Sequence, residues 1–564
     1  MNPNKRNRYM PVLMAVCVAF GIVIGTFYAN HFSGNRLNII NSGSNRLNNL
    51  LHIIDDQYVD NVNIDSLVDK AIPQILSDLD PHSVYISAKE MQAANDDLKG
   101  SFSGVGIEFN IRQDTLHVQN VVKNAPAEKA GLLAGDKVVS IDGKPFVGKI
   151  VTNDEAMRRL KGPKDTKVRI GVVRFGHKKP LEFTVTRGDI PQKSITASYM
   201  IDEKTGYIRI KNFGERTYPD LLIALAKLST EGCKQLIIDL RDNTGGYLQS
   251  AVQMANEFLP KNKLMVYTQG RKSQRQEYLS DGKGSYQRFP LVVLINEGSA
   301  SASEIFAGAM QDNDRAVIIG RRSFGKGLVQ QQLGFTDGSL ILLTIARYYT
   351  PSGRCIQKPY ATGDAADYEQ DIYSRYQHGE FFSQDSIKHT GPAYHTGIGR
   401  VVYGGGGITP DIFVAEDTLG VTSYFKQAVM SGLILQFAYT YTDNNRQKLS
   451  KFKTLKEITA YLDKQNLVEQ FAAYADKHGL QRRNLMIRKS HKLLMRYINS
   501  RIIYSILDDE VWTEYLNEDD PVIAAAMKVF KEEASFPKLT QADKAKSETK
   551  QKPNDGQKGA KTRN

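Results

Sequence analysis

Three patterns of apolar residues follow one another along this 564-residue chain. In residues 35–99 apolar side chains recur every three or four positions, as in RLNNLLHIIDDQYV, and this spacing predicts helices. In residues 100–190 short runs such as LHVQNVV, KVRIGVVR and LEFTVTR are separated by turns, which predicts a small, mostly β domain. One short helix, APAEKAG, is expected among these strands.

The apolar runs of residues 191–415, which include QLIIDL, LVVLI, AVIIG and LILLTIARY, are continuous rather than alternating. Continuous runs are typical of strands buried on both faces, so we expect an α/β core with helices such as YLQSAVQMANEFL and ASEIFAGAM on the sheet. The stretch from Ala361 to His395 is polar and predicts irregular structure. Beyond residue 416 the spacing is helical again.

The predicted fold class is multidomain α+β, with an N-terminal membrane helix, a helical segment, an inserted β domain, an α/β core and a helical C-terminal domain. The predicted boundaries are 1–34, 35–99, 100–190, 191–415 and 416–535, followed by a disordered basic tail at 536–564.

The first thirty residues predict a membrane anchor. MNPNKRNRY is basic, and residues 10–29, MPVLMAVCVAFGIVIGTFYA, carry no charge over a length that can cross a bilayer. Because positive residues stay inside, the rest of the chain is expected on the periplasmic, extracytoplasmic side of the inner membrane. A cleaved signal peptide is the alternative, although no small-x-small cleavage site is evident.

Net charge says little about the partners of this chain, and cysteine content bears only on disulfides. The net charge of +13 comes partly from the polar C-terminal tail, which predicts a solvated basic segment, with binding to an acidic partner as the alternative. We expect no nucleic-acid partner. Three cysteines exclude a disulfide framework.

Within the predicted core, the segment of strands and helices from Pro191 to Gly353 contains no histidine, so a Ser-His-Asp triad cannot be built within that segment. No HExxH or paired-cysteine pattern occurs, so we expect neither a metal nor another cofactor. A nucleophilic serine in GSASASEIFAG would then need another base, and lysine is the usual substitute. Lys326, in SFGKGLVQQ, is the candidate, and a surface lysine in a turn is the alternative.

A lysine base must be neutral. Lowering its pKa from about 10.4 to about 7 costs roughly 4–5 kcal/mol, which burial in an apolar pocket can supply. Gly245 and Gly246, after the strand-like LIIDL, form a turn whose N–H groups suit a developing oxyanion, although an ordinary strand-to-helix turn has the same pattern.

A phosphate-binding loop is a third hypothesis, because GRRSFGKG at residues 320–327 fits G-x-x-x-x-G-K. Gly327 stands where such a loop needs Ser or Thr, and LVQQQLG after it predicts no helix.

Seven motifs in order resemble the carboxy-terminal processing peptidases, or tail-specific proteases, over residues from about Leu50 to Asp411. They are LDPHSVYIS, GVGIEF, APAEKAGLLAGDKVVSIDG, IIDLRDNTGG, GSASASEIFAGAMQDNDRA, SFGKGLVQ and GGGGITPD. The resemblance implies a serine endopeptidase of envelope proteins with a Ser-Lys dyad and an inserted PDZ domain. Ser301 would be the nucleophile, Lys326 the base and Gln330 the residue that orients the lysine.

By the same resemblance, Ala302 and either Gly245 or Gly246 would form the oxyanion hole. Ser301 and Glu304 also fit a capping box, so spacing alone would make Ser301 a helix cap. Substrates would be proteins or peptides with free C-termini. The loop that receives the terminal carboxylate would consist of Gly104, Val105, Gly106 and Ile107.

The helical C-terminal domain lies outside the resemblance, and oligomerisation, substrate handling and an adaptor contact all stay open for it. A PDZ domain that only regulates, and a non-catalytic PDZ scaffold, are the alternatives to substrate capture.

Overall fold

Most of the predicted anchor and all of the predicted tail lie outside the residues that the structure describes. The computed structural model describes residues 14–15, 18–21, 43–88, 90–91, 101–112, 114–174, 177–361, 363, 365–389 and 391–532. No helix within these ranges is both long and apolar enough to cross a bilayer.

The described residues up to Asp78 belong to one unit, and those from Leu79 onward belong to a second. The described part of the first unit contains helices α1 (Gly43–Gln57) and α2 (Ile64–Ser77), which confirms the helical spacing. The side chain of Asn63 caps α2, because its Oδ1 accepts the N–H of Ser66 at 2.9 Å.

The second unit begins with a short strand and the predicted β domain. Its elements are β1 (Val84–Ile86), β2 (Ser101–Gly104), β3 (Ile107–Arg112), β4 (Thr115–Val121), α3 (Pro126–Ala130), β5 (Lys137–Ile141), β6 (Lys144–Pro145), α4 (Asn153–Leu160), β7 (Lys167–Val173), β8 (Leu181–Thr186) and β9 (Gly188–Pro191). The main sheet has the order β3-β4-β5-β7-β8, with β6 beside β5. Helix α4, capped by Thr152, is not evident from the hydrophobic pattern.

Strands β2 and β9 pair antiparallel at the two ends of this domain. Their pairing brings the first and last strands of the domain together. The chain therefore enters and leaves the domain at neighbouring points, and the segments before and after it can lie close to each other.

The α/β core follows directly. Its elements are β10 (Ile195–Met200), β11 (Thr205–Ile210), α5 (Thr217–Thr230), β12 (Gln235–Asp239), α6 (Leu248–Phe258), β13 (Leu264–Gln269), β14 (Gln276–Leu279), β15 (Leu291–Ile295), α7 (Ala302–Asp312), β16 (Val317–Gly320), β17 (Leu328–Gly334), β18 (Leu340–Tyr349), α8 (Ala365–Gln377), β19 (Ala393–His395), β20 (Val401–Tyr403) and β21 (Ile412–Phe413).

The central sheet has the order β10-β11-β12-β15-β16-β21, and all its pairs are parallel except β10 with β11. The runs QLIIDL, LVVLI and AVIIG form three adjacent strands of this sheet, as their continuous apolar character predicts.

Two expectations for the core are wrong. The run LILLTIARY does not join the parallel sheet, because β18 lies in a separate antiparallel sheet with β1, β13, β14 and β17, and several of its side chains are only half-buried. The polar stretch from Ala361 contains helix α8, whose packing is described below.

The helical C-terminal domain has the helices expected from its spacing. They are α9 (Ser423–Met430), α10 (Leu433–Leu449), α11 (Leu455–Leu462), α12 (Leu467–Lys477), α13 (Asn484–Lys489), α14 (His491–Tyr504), α15 (Asp509–Asn517) and α16 (Pro521–Lys531). Most of them share one apolar core, in which Phe437, Phe471 and Ile498 are buried.

The last helix, α16, belongs to the α/β core rather than to this bundle. Val522, Ile523 and Phe530 pack with Tyr207 and Val292 of the central sheet, on the face opposite to the cluster that contains α5, α6 and α7. The central sheet is therefore covered on both faces only when the end of the described chain is in place.

Polar contacts connect the helical domain to its neighbours. Tyr504 donates its hydroxyl to Glu108 Oε2 of the β domain at 2.7 Å, and Gln119 of that domain donates to the Tyr439 hydroxyl. Arg241, after β12, donates to Asp520 Oδ2 at 2.6 Å, immediately before α16.

We expect Ile523→Ala to lower the free energy of unfolding of the α/β core by about 2–5 kcal/mol, because it leaves a cavity against the sheet. Urea denaturation measures this change. Met430→Ala is the control, since Met430 is 87% exposed and its loss should change stability by less than about 0.5 kcal/mol. Equal effects of the two substitutions would contradict the assignment of α16 to the core.

Candidate active site

The three serines of GSASASEIFAG have different environments. The Ser299 hydroxyl donates to the Leu240 carbonyl at 2.7 Å, and that of Ser303 donates to the Asn243 carbonyl at 2.8 Å, so both buried side chains hold the strand-to-helix turn. Ser301 is half-buried at the start of α7, with a positive φ of 56°. A positive φ is rare for serine, and it indicates a backbone held in place by its surroundings.

The carboxylate of Glu304 joins the serine loop to the lysine loop. Its Oε2 accepts the N–H of Ser301 at 2.9 Å and that of Lys326 at 2.8 Å. Its Oε1 accepts the Ser323 hydroxyl at 2.5 Å and the Gly325 N–H at 2.7 Å. Four donors occupy the acceptor sites of this fully buried carboxylate.

Burial raises the pKa of Glu304 to about 7, although its four donors oppose the shift. A protonated Glu304 would have to replace one of these donors by its own O–H. The arrangement around it therefore fits the ionised form best.

Tyr348 provides a second contact shared by the same two residues. Its hydroxyl lies 3.1 Å from the Ser301 carbonyl oxygen, and it donates to the Lys326 carbonyl. Burial raises the pKa of Tyr348 well above its usual value, so the hydroxyl stays protonated. Ser301 and Lys326 are thus held through their N–H groups by Glu304 and through their carbonyls by Tyr348.

Lys326 is half-buried in a glycine-flanked loop. Burial lowers its pKa, while Glu304 and Asp80 oppose the change. Gly325 has a φ of +91°, and a Cβ on Gly327 would lie 2.8 Å from the backbone nitrogen of Gln357. Both glycines are therefore required by the close approach of the chain on either side of the lysine.

The predicted oxyanion donors lie against Ser301. A Cβ on Gly245 would be 2.7 Å from Ser301 Cβ and 2.9 Å from the nitrogen of Ala302. The Gly245 N–H donates to Asn243 Oδ1 at 2.9 Å, whereas the N–H groups of Gly246 and Ala302 make no hydrogen bond to the described part of the chain. Of the two glycines, Gly246 therefore has the available donor.

Gln330 has a partner that the sequence did not indicate. Its amide nitrogen donates to the backbone carbonyl of His82, from the LDPHSVYIS motif. The positive charge of Lys326 also contributes to the low pKa of His82, which is about 4 and results mainly from burial. A histidine therefore does lie beside the candidate lysine, although it comes from a segment far from the core in sequence.

The structure contradicts the phosphate-loop hypothesis. Residues after Gly327 form strand β17, which pairs with β18, whereas a phosphate-binding loop needs a helix there. Among the described residues, no group of three or more His, Cys, Asp or Glu side chains is arranged to hold a metal ion.

The predicted carboxylate-binding loop connects β2 to β3. Gly104 ends β2 and Ile107 begins β3, while the N–H groups of Val105 and Gly106 make no hydrogen bond within the described ranges. Gly106 has a φ of +80°, and a Cβ on it would lie 2.4 Å from that of Ala125. The loop thus contains two adjacent N–H groups without a hydrogen-bond partner in the described ranges, and Gly106 leaves room there for Ala125.

Sequence reasoning missed several residues of the site. Tyr348, Asn243, His82 and Tyr368 had no assigned role, and Glu304 was considered only as part of a capping box. The Asp-Pro-His-Ser turn could have been singled out, because an aspartate before Pro and Ser is typical of a side chain that holds its own turn. Tyr348 and Tyr368 carry no comparable signal.

Three family profiles match the chain. The one described as peptidase family S41 matches residues 204–368, a PDZ domain matches 117–174, and a family of unknown function matches 424–508. The second and third matches fall in the β domain and in the helical domain.

Known proteins are similar over a larger part of the chain. The carboxy-terminal-processing protease of Bartonella bacilliformis is 38% identical over 337 residues, which cover 59% of this chain and 76% of that protein. The carboxyl-terminal-processing protease of Synechocystis is 37% identical, over 51% of this chain and 68% of that protein. A solved photosystem II D1 C-terminal processing protease is 26% identical and covers 65% of this chain and 87% of its own, with a TM-score of 0.35.

The PDZ profile falls in the β domain, and the S41 profile falls in the α/β core and includes Ser301 and Lys326. The chain therefore belongs to the carboxy-terminal processing proteases of peptidase family S41, and it is a serine-type peptidase that carries a PDZ domain.

Proposed function

We propose that the chain is a membrane-anchored endopeptidase that captures protein C-termini and cleaves envelope proteins with a Ser301–Lys326 dyad. The observation that carries this proposal is the Glu304 carboxylate, which accepts the N–H groups of both residues. Residues 10–29 would anchor the chain in the inner membrane and leave the protease on the periplasmic side.

In the first half of the reaction the Ser301 hydroxyl attacks the substrate carbonyl, and the neutral Lys326 amine takes the hydroxyl proton. The N–H groups of Ala302 and Gly246 stabilise the oxyanion. The carbon–nitrogen bond then breaks, and the protonated Lys326 gives its proton to the leaving amine. The product of this half is an acyl-enzyme on Ser301.

In the second half a water molecule attacks the acyl carbonyl and transfers a proton to Lys326. The ester bond breaks, and Lys326 returns this proton to the Ser301 oxygen. Gln330 orients the lysine through its side-chain amide.

Burial of Lys326 supports its role, because a lysine in water is almost entirely protonated near neutral pH. Lowering its pKa makes the neutral amine available, and the fraction of that form rises as the pH rises.

We further propose that the PDZ domain holds the carboxylate of a substrate C-terminus at Val105 and Gly106. Adjacent backbone N–H groups bind a carboxylate through charge-assisted hydrogen bonds, which a neutral terminus cannot form as strongly. Capture of this kind would give tail specificity, since only a free C-terminus is held.

We expect Ser301→Ala and Lys326→Ala each to abolish cleavage of an unfolded test protein such as β-casein, because each removes one half of the proton-sharing pair. Gel-based cleavage and circular dichroism measure activity and fold. Ser285→Ala and Lys272→Ala are the controls, because both of these side chains are exposed. Near-normal turnover by Lys326→Ala would overturn the mechanism, and binding without cleavage by the wild type would indicate a scaffold.

We expect Glu304→Gln to reduce kcat by about 100-fold or more, because the loops of Ser301 and Lys326 lose a shared contact. It should also lower the free energy of unfolding by about 2–6 kcal/mol, since two buried donors would face an NH₂ group. Steady-state kinetics and urea denaturation test both effects. The exposed Glu203→Gln is the control. Wild-type stability and kcat in Glu304→Gln would show that the carboxylate does not organise the site.

We expect a C-terminally amidated peptide to bind the Ser301→Ala protein about 10–100-fold more weakly than the same peptide with a free carboxylate. Gly106→Ala should remove this preference, because the new Cβ would displace Ala125. Gly148→Ala is the matched control, since Gly148 has a similar positive φ of 83° but open space around its Cα. Calorimetry measures both affinities. Equal affinity of the Ser301→Ala protein for the two peptides would exclude carboxylate capture.

A further inference from the structure

The turn at residues 79–83, which precedes the PDZ domain in sequence, is fixed next to the lysine loop. The Asp80 carboxylate accepts the N–H groups of His82 and Ser83, both at 2.9 Å, and the Ser83 hydroxyl at 2.6 Å. It also accepts the Thr344 hydroxyl at 3.0 Å, and Thr344 lies opposite Gln330 in the β17–β18 pair. The buried Asp80 thus fastens this turn to the sheet that carries Gln330.

From this turn His82 contacts two residues that surround the lysine loop, Gln330 of β17 and Tyr368 of α8. Its backbone carbonyl accepts the side-chain amide of Gln330. Its Nε2 lies 2.8 Å from the hydroxyl of Tyr368, and the two rings meet edge to face with centroids 4.9 Å apart. The ring of Tyr368 in turn packs against that of Phe324, two residues before Lys326, with the ring centroids 5.8 Å apart.

Helix α8 supplies Tyr368, so the polar segment expected to be irregular closes this side of the site. Tyr368 is 5% exposed, and the Lys358 ammonium lies 3.9 Å from the centre of its ring. His82, Tyr368 and Phe324 form a continuous aromatic wall, which we call the His82 wall.

The ring of His82 is neutral at physiological pH. Burial is the main cause of its low pKa, and the charges of Lys326 and Lys358 lower the value further, whereas Asp80 raises it. The ionisable groups that face His82 or Lys326 are Asp80, Glu304, Lys326, Lys358 and Tyr368. A neutral ring adds volume next to Lys326 without adding a third positive charge.

We propose that His82 is a positioning residue for Lys326: its ring keeps water from the amine, and its carbonyl holds the Gln330 side chain. Since His82 engages an N–H of the Gln330 amide, the Gln330 Oε1 can accept a hydrogen bond from the lysine. This inference rests on the proposed role of Lys326 as the base.

The pH dependence of kcat/KM tests the wall, because its acid limb reports the pKa of the base in the free enzyme. Activity should rise with pH as Lys326 loses its proton. We expect His82→Ala to admit water and to move the midpoint of this limb upward by about one pH unit. At pH values below the midpoint, kcat/KM should then fall about tenfold. His82→Phe fills the space with an apolar ring and should leave the midpoint within about 0.3 units.

His395→Ala is the matched control, because His395 is exposed. A fall in kcat/KM without movement of the limb in His82→Ala would show a merely structural role and overturn the proposal. Complete inactivity of a folded His82→Phe would overturn it as well, because the imidazole nitrogen itself would then be needed for the chemistry.

A direct measurement separates this inference from the proposed mechanism. Limited reaction with an amine-selective acylating reagent, followed by mass spectrometry across a pH series, gives the pKa of Lys326 in the Ser301→Ala protein. We expect this pKa to rise when His82→Ala is added and to be retained with His82→Phe. An unchanged pKa overturns the wall, whereas retained cleavage by Lys326→Ala overturns only the role of the lysine as a base.

Discussion

Each oxygen of the buried Glu304 carboxylate accepts two hydrogen bonds, and together these bonds join the loop of Ser301 to the loop of Lys326. Removing a carboxylate from water is unfavourable unless its acceptor sites are filled. The serine and lysine loops fill all four sites. Neither loop can therefore move away without leaving the buried carboxylate short of hydrogen-bond donors. The geometry of the candidate dyad depends on this constraint.

Much of the core was predictable because burial on both faces leaves a continuous apolar signature, as in LVVLI and AVIIG. The same rule failed for LILLTIARY, since an apolar run does not say which sheet it joins. Helix α8 was missed because its sequence, AADYEQDIYSRYQ, is polar and buries chiefly single side chains such as Tyr368.

The candidate site was predictable where it depends on local sequence and not where it depends on tertiary contacts. Ser301 and Lys326 stand in glycine-rich motifs whose order along the chain is specific. His82 reaches the lysine from a turn 244 positions earlier in the chain than Lys326, and no local pattern reports a contact over such a distance. The absence of histidine between Pro191 and Gly353 predicts that no triad forms within that segment, but it does not exclude a histidine neighbour supplied from outside.

The helical domain contacts both the PDZ domain and the α/β core. It contacts the PDZ domain through Tyr504 and Glu108, and it ends in α16, which lies beneath the central sheet. Its polar contacts with the PDZ domain contrast with the apolar burial of α16. The two junctions therefore have different chemistry: the first can exchange its hydrogen bonds with water, whereas the second cannot separate without exposing the core.

The position of α16 has a consequence for biosynthesis. The second face of the central sheet, and the Asp520 partner of Arg241, are supplied by the residues that a ribosome makes last among those described. A chain still being synthesised can contain Ser301 and Lys326 while it lacks the layer that completes their domain. The α/β core therefore completes its fold only after α16 has been synthesised.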